Sequence, residues 1–347
     1  MTLTLDMTRC FLPEALAGLA PVRTLDDADR RRLNQIRACS YLHLFDVFEA
    51  SVSTVARERA RLDEEARDAL SPILRLDCFD HHELFFTFET AFADAFPVRP
   101  RLVPLPADFM RTLTLAAPHA LLVLALHLKL VTQQHYLACV RGGESLEPSF
   151  VRLLKEHWCV ECEKSGKCGP ALAIQEGLAQ ALPGRIPAAL RDYRLLVFSC
   201  DDVLRRQAEL DVATLEDARG APLAASIRAG IVAAQVAAHR KTFLTVGIVN
   251  AAFVYAMRAL GPTAPSMLAV NTTRPRSCSR MNASRQAGCS GLTLAPVMAT
   301  KRPPSARRAS ADAMCRSAAS AMRPETFAIA ENGGFISTTD GTTAGCR

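Results

Sequence analysis

Between residues 30 and 262 the chain is a succession of long stretches with apolar residues at helical spacing. Proline or glycine closes each stretch, and no convincing set of alternating strands interrupts them. That pattern restricts the fold to an all-helical one. The first stretch opens behind Asp26-Asp27, acids suited to the positive end of a helix, and carries Ile36, Leu42, Leu44, Phe45, Phe48, Val52 and Val55. It is expected to reach Ala69 and break at Pro72. A second helix is expected from Pro72 to Phe96, with an aromatic stripe that includes Phe85, Phe88 and Phe92, followed by a proline-rich connection over 97–106. A third is expected from Phe109 to Arg141, ended by Gly142-Gly143. The fourth begins near Leu146, passes through His157 and Trp158, and is expected to fray at Gly166 and Gly169-Pro170. Two more follow, from Ile186-Pro187 toward Leu215 and from Ser226 to Leu260. Ala, Leu, Arg and Glu prevail over β-branched and aromatic residues, which favours helix throughout.

The two ends read differently. Residues 1–29, with Pro13 and Pro21, are expected to be a poorly ordered leader. After Gly261-Pro262 apolar periodicity vanishes, and 263–347 is expected to be a disordered, basic, low-complexity tail. Its composition also matches an out-of-frame reading of a GC-rich gene. From Pro262 onward there are 11 Lys/Arg against 4 Asp/Glu, so the tail carries +7 and the rest −1 of the chain's +6. The helical body therefore offers no nucleic-acid surface. The most apolar stretch, Leu113 to Val131, contains Pro118, His119, His127 and Lys129 and reads as a buried core helix, not a membrane span. With no evident export signal, the chain is expected in the cytoplasm and its 12 cysteines are expected as free thiols.

Ionisable residues recur inside the apolar runs of the first four helices. Glu49 lies in LHLFDVFEASV, and DCFDHHELFF places His81 three residues after Cys78. Lys129 lies in LHLKLV, and KEHWCVECEK supplies His157, Glu161 and Lys164 at spacings of four and three, which put all three on one helix face. This layout resembles the ferritin-like diiron-carboxylate proteins, closest to the p-aminobenzoate N-oxygenase-like diiron oxygenases. The likeness covers about residues 30–262 and rests also on LRRQAELDVATLEDARG (204–220) and HRKTFLTVGIVNAAFV (239–254).

The resemblance implies a ferritin-like four-helix bundle with additional C-terminal helices, and the bundle is expected to run up and down. It implies two irons held by one Glu from each of two helices and a Glu-x-x-His from each of the other two, and a further His one turn before the last motif. Carried over position by position, Glu49, His81, His157 and Glu161 match as metal ligands. Cys78 and Lys129 stand where Glu is expected, and Lys164 where His is expected. A lysine ammonium has no lone pair and repels a metal. The expected function is therefore that of a diiron-oxygenase relative with a degenerate site and reduced or no activity. The alternative is an active diiron or single-metal oxygenase on a small amine or carbon substrate, with shifted ligands drawn from Glu49, Asp77, His81, His157 and Glu161. Expected partners are a small-molecule substrate or none, no nucleic acid or membrane, and a homodimer.

The same charges admit a metal-free reading. Glu49 and Glu161 against Lys129 and Lys164 balance, so four inward side chains would form a buried salt-bridge network. Cys159, Cys162 and Cys168 invite a zinc reading, but a continuous helix splays the first two and no second CxxC is present. Trp158 reads as core packing, His43, His119, His127 and His135 as structural histidines, and Arg75, Arg152, Arg205 and Arg206 as solvated.

Overall fold

A computed structural model describes residues 3–75, 79–163, 177–178, 183–245 and 253, with the backbone alone at 79–82, 160–163, 183 and 245. The described residues form helices and turns, with no strand among them. Helix α1 spans Glu14–Ala17, α2 Asp27–Leu62, α3 Glu64–Arg75, α4 Phe79–Ala95, α5 Ala107–Leu115, α6 Pro118–His135, α7 Pro148–Glu163, α8 Ile186–Arg219 and α9 Ala225–Arg240. π-helical turns follow α6 at Tyr136–Val140 and α9 at Lys241–Thr245. The expected tail, 263–347, and the end of the sixth expected helix lie outside the described residues, apart from Phe253.

Local chemistry explains most boundaries. The Asp26 carboxylate caps α2 by accepting from the Asp29 amide at 2.8 Å. Helix α2 ends at extended Asp63 and not at Pro72, which is accommodated in the last turn of α3. A proline there removes one helical hydrogen bond without stopping a helix that is already ending. The expected third helix is divided, because Pro118 opens α6 and holds the preceding Ala117 extended at ψ 145°. Gly220 closes α8 in the left-handed region at φ 68°.

Printed side-chain contacts fix the helix directions. Helices α2 and α6 are antiparallel, since Tyr41 meets His135 and Glu49 meets Lys129. Helix α3 folds back along α2, with Arg67 on the Ala60 carbonyl at 3.0 Å, and α4 continues that way until Glu89 reaches His43 at 3.4 Å. Helices α4 and α7 are antiparallel, with Phe88 against Phe150 and Phe85 against His157. The four helices form a closed ring in the order α2, α4, α7, α6. Consecutive bundle helices α4 and α6 therefore run the same way, joined by a crossover over residues 96–117 that contains α5. This corrects the expected up-and-down order: a helix pair that shares a direction needs a connection spanning the bundle's length. Helix α8 packs on α2, α5 and α6, and α9 packs on α8.

Helix α6 is buried almost all round, as a core helix must be when it is apolar on every face. None of the described helices is long and apolar enough to cross a membrane.

The leader was expected to be poorly ordered, and the structure corrects this. Phe11, Leu12, Leu16, Leu19 and Val22 are buried. Phe11 packs against Phe88, Phe92 and Phe150 with ring centroids 5.9–6.1 Å away. Side chains of α2 satisfy the leader's non-helical backbone. Asn34 accepts from the Phe11 and Leu12 amides at 2.7 and 3.0 Å and donates to the Leu12 carbonyl at 2.7 Å. Gln35 donates to the Met7 and Arg9 carbonyls, both at 2.8 Å.

Candidate functional site

Glu49 and Lys129 meet in the buried space between α2 and α6, beside α3. The Lys129 Nζ donates to Glu49 Oε2 at 2.9 Å, and each side chain is 6% exposed. The sequence places them there through helix faces. Glu49 follows Phe45 and Phe48 on the inward face of α2, and Lys129 has no outward face to occupy on α6. A cavity of about 20 Å³ adjoins the pair, lined by Glu49, Val52, Ser53, Ile73, Ala125, Leu128 and Lys129. That is room for about one water molecule.

The antiparallel contacts set the level of the other helices. His43 opposite Glu89 on α2 and α4 brings the first turn of α4, with position 81, toward the level of Glu49. Phe85 opposite His157 on α4 and α7 brings position 161, one turn on, toward the level of position 81. Tyr136 stacks on Trp158 at 5.4 Å, which places the far end of α7 beside Lys129. These contacts bring backbone positions 81 and 161 within about a turn or two of the level of Glu49 and Lys129. His157 is 3% exposed, with its ring 5.1 Å from Phe85. The side chains of His81 and Glu161 lie outside what the structure describes, as do Asp77, Cys78 and Lys164 entirely.

Of the expected metal ligands, the structure therefore describes the side chains of Glu49 and His157. The described donor set does not fit a pair of irons, because the Lys129 ammonium holds the Glu49 oxygen a metal would need and repels any cation beside it. Among the described residues no group of three or more His, Cys, Asp or Glu is arranged to hold a metal. Of the cysteines in the zinc reading, Cys159 is half-buried, while the Cys162 side chain and Cys168 lie outside the described residues. Trp158 is packed in the core, and Arg75, Arg152, Arg205 and Arg206 are exposed.

A second buried polar region, which the sequence reading missed, lies toward the start of α2. Asp211 on α8 is fully buried. Its Oδ2 accepts from Ser40 at 3.0 Å and faces His239 Nε2 at 3.1 Å, and its Oδ1 accepts from Gln207 at 2.8 Å. Arg37, also fully buried, donates to the Leu16 carbonyl at 3.1 Å and to Thr242 Oγ1 at 3.3 Å. Burial lowers its pKa to about 10, against the pull of Asp211, so it remains cationic at neutral pH. A signal was present: Leu204, Ala208, Asp211 and Leu215 form one inward seam of α8, and an acid on such a seam requires partners.

The structural histidines flank this region. His135 Nδ1 lies 3.0 Å from the Tyr41 hydroxyl and His127 Nδ1 2.6 Å from the Tyr193 hydroxyl. Burial lowers both, to about 3 and about 4, so both are neutral.

No protein-family model matches this chain, and no curated protein or solved structure is significantly similar to it.

Proposed function

We propose that the chain is a ferritin-like helical protein related to the diiron oxygenases, in which a buried ion pair stands where metal would be held and oxygenase activity is reduced or lost. The single observation that carries this reading is the 2.9 Å contact between Lys129 and Glu49, buried between α2 and α6. The parallel α4 and α6 joined by one long crossover support the ferritin-like part, since that connection separates ferritin-like bundles from simple up-and-down ones. The antiparallel pairing of α2 with α4 and α6, and of α4 with α7, supports descent from a four-helix metal centre. A bundle of this kind serves as a binding or structural module, and neither role needs bound iron.

Anaerobic loading with ferrous iron followed by metal analysis tests the reading. The wild-type chain is expected to retain no stoichiometric iron, and Lys129→Glu, which removes the ammonium and adds a carboxylate, is expected to retain more. Two irons per wild-type chain would overturn it. The second reading, an active diiron or single-metal oxygenase, is favoured by His157, buried on one helix of the ring. Iron-dependent dioxygen consumption by the wild-type chain would establish it in place of the first.

A further inference from the structure

The region around Arg37 contains three fully buried polar atoms with no hydrogen-bond partner: Arg37 Nη1, Gln235 Oε1 and His239 Nδ1. They belong to one neighbourhood. Gln235 and His239 are four residues apart on one face of α9. Arg37 and Gln235 donate to neighbouring carbonyls at the end of α1, Leu16 at 3.1 Å and Ala17 at 3.4 Å. Arg37 also reaches Thr242, one turn beyond His239. The approach is close, for a Cβ added at Gly18 would lie 2.4 Å from that of Ala238.

The three orphans have a definite chemistry. Arg37 Nη1 only donates, and Gln235 Oε1 only accepts. His239 Nε2 faces the Asp211 carboxylate, which fixes the ring proton on Nε2 and leaves Nδ1 as an acceptor. One donor and two acceptors are the complement of a single water, which accepts once and donates twice. Buried waters typically make about three such bonds. An anion would clash with both acceptors, and a metal cation with the Arg37 charge.

We infer that Arg37, Gln235 and His239 hold one ordered internal water that ties α2 to α9 beside the docked leader. Bound there, it accepts from Arg37 Nη1 and donates to Gln235 Oε1 and His239 Nδ1. It thereby links residue 37 to residues 235–239, segments that sequence separates widely.

A crystal structure of the full chain at high resolution tests this directly. The expected result is one solvent peak within about 3.2 Å of all three atoms, the range of a hydrogen bond. A dry site, or direct pairing among the three side chains, would overturn it. So would an anomalous peak there after bromide soaking, because a halide requires donors on every side. In solution, a magnetisation-transfer contact between water and the His239 ring protons is expected in the wild type and lost in Gln235→Leu. If that variant fails to fold, the wild-type contact alone decides, and its absence counts against the site.

Discussion

Two places in this bundle bury a cation and a carboxylate, and they compensate the charges differently. Glu49 and Lys129 touch at 2.9 Å. Asp211 and Arg37 interact across a shell of neutral dipoles, with Ser40, Gln207 and His239 on the acid and the Leu16 carbonyl and Thr242 on the base. A contact pair is a unit whose halves stand or fall together, while a solvated pair spreads its stabilisation over many partners.

The largest expected effect tests the first half of that contrast. Lys129→Met should destabilise the chain by about 3–5 kcal/mol in urea unfolding, because it leaves the Glu49 charge buried. The double variant Glu49→Leu/Lys129→Met should recover most of the loss. Arg37→Met/Asp211→Leu should show no such recovery, since it takes a bond from Ser40, Gln207, His239 and the Leu16 carbonyl at once. Recovery there would erase the distinction between the two regions.

The second contrast is in pH. His127, His135 and His239 have folded pKa values of about 4, 3 and 4, each lowered by burial from 6.5. Unfolding exposes them and lets them bind protons. Their contribution is fully present above pH 6.5 and is lost as pH falls toward 4, by up to about 1.4 kcal/mol per pH unit for each histidine. Urea midpoints from pH 7.5 to 4.5 should fall accordingly, and His239→Gln should flatten the slope. An unchanged slope would place His239 outside the titration.

Glycines give a smaller test of how tightly the leader docks. Gly18 combines φ 62° with a Cβ position 2.4 Å from Ala238, whereas Gly142 has φ 81° and open space around it. Gly142→Ala should cost about 1 kcal/mol by backbone strain alone, and Gly18→Ala measurably more. The smallest expected effect is on the surface: Arg101→Ala breaks a half-exposed pair with Asp217 and should change thermal stability by less than about 1 kcal/mol.

Particular residues show what was legible in the sequence. The Asp26 cap, the opening of α8 near Pro187 and the inward face of Glu49 follow from propensity and periodicity, which act over one or two turns. Pro118 stands in the sequence at the split between α5 and α6, but the long apolar run around it masks the break. The leader was misread because its hydrogen-bond partners, Asn34, Gln35 and Arg37, lie a helix away and look like ordinary polar residues of α2. Asp211 was missed for the same reason, since its three partners come from two other helices and its own.

The sequence by itself determined that the described residues between 30 and 245 are mostly helical and that Glu49, Lys129 and His157 point inward, because both depend on spacing within a single helix. Tertiary structure decided that α4 and α6 run in one direction, that Lys129 closes on Glu49, and that the leader belongs to the core. Those outcomes depend on which faces of distant segments meet. A buried charge obliges the chain to supply a partner, but its own neighbours in sequence do not say which helix will bring it.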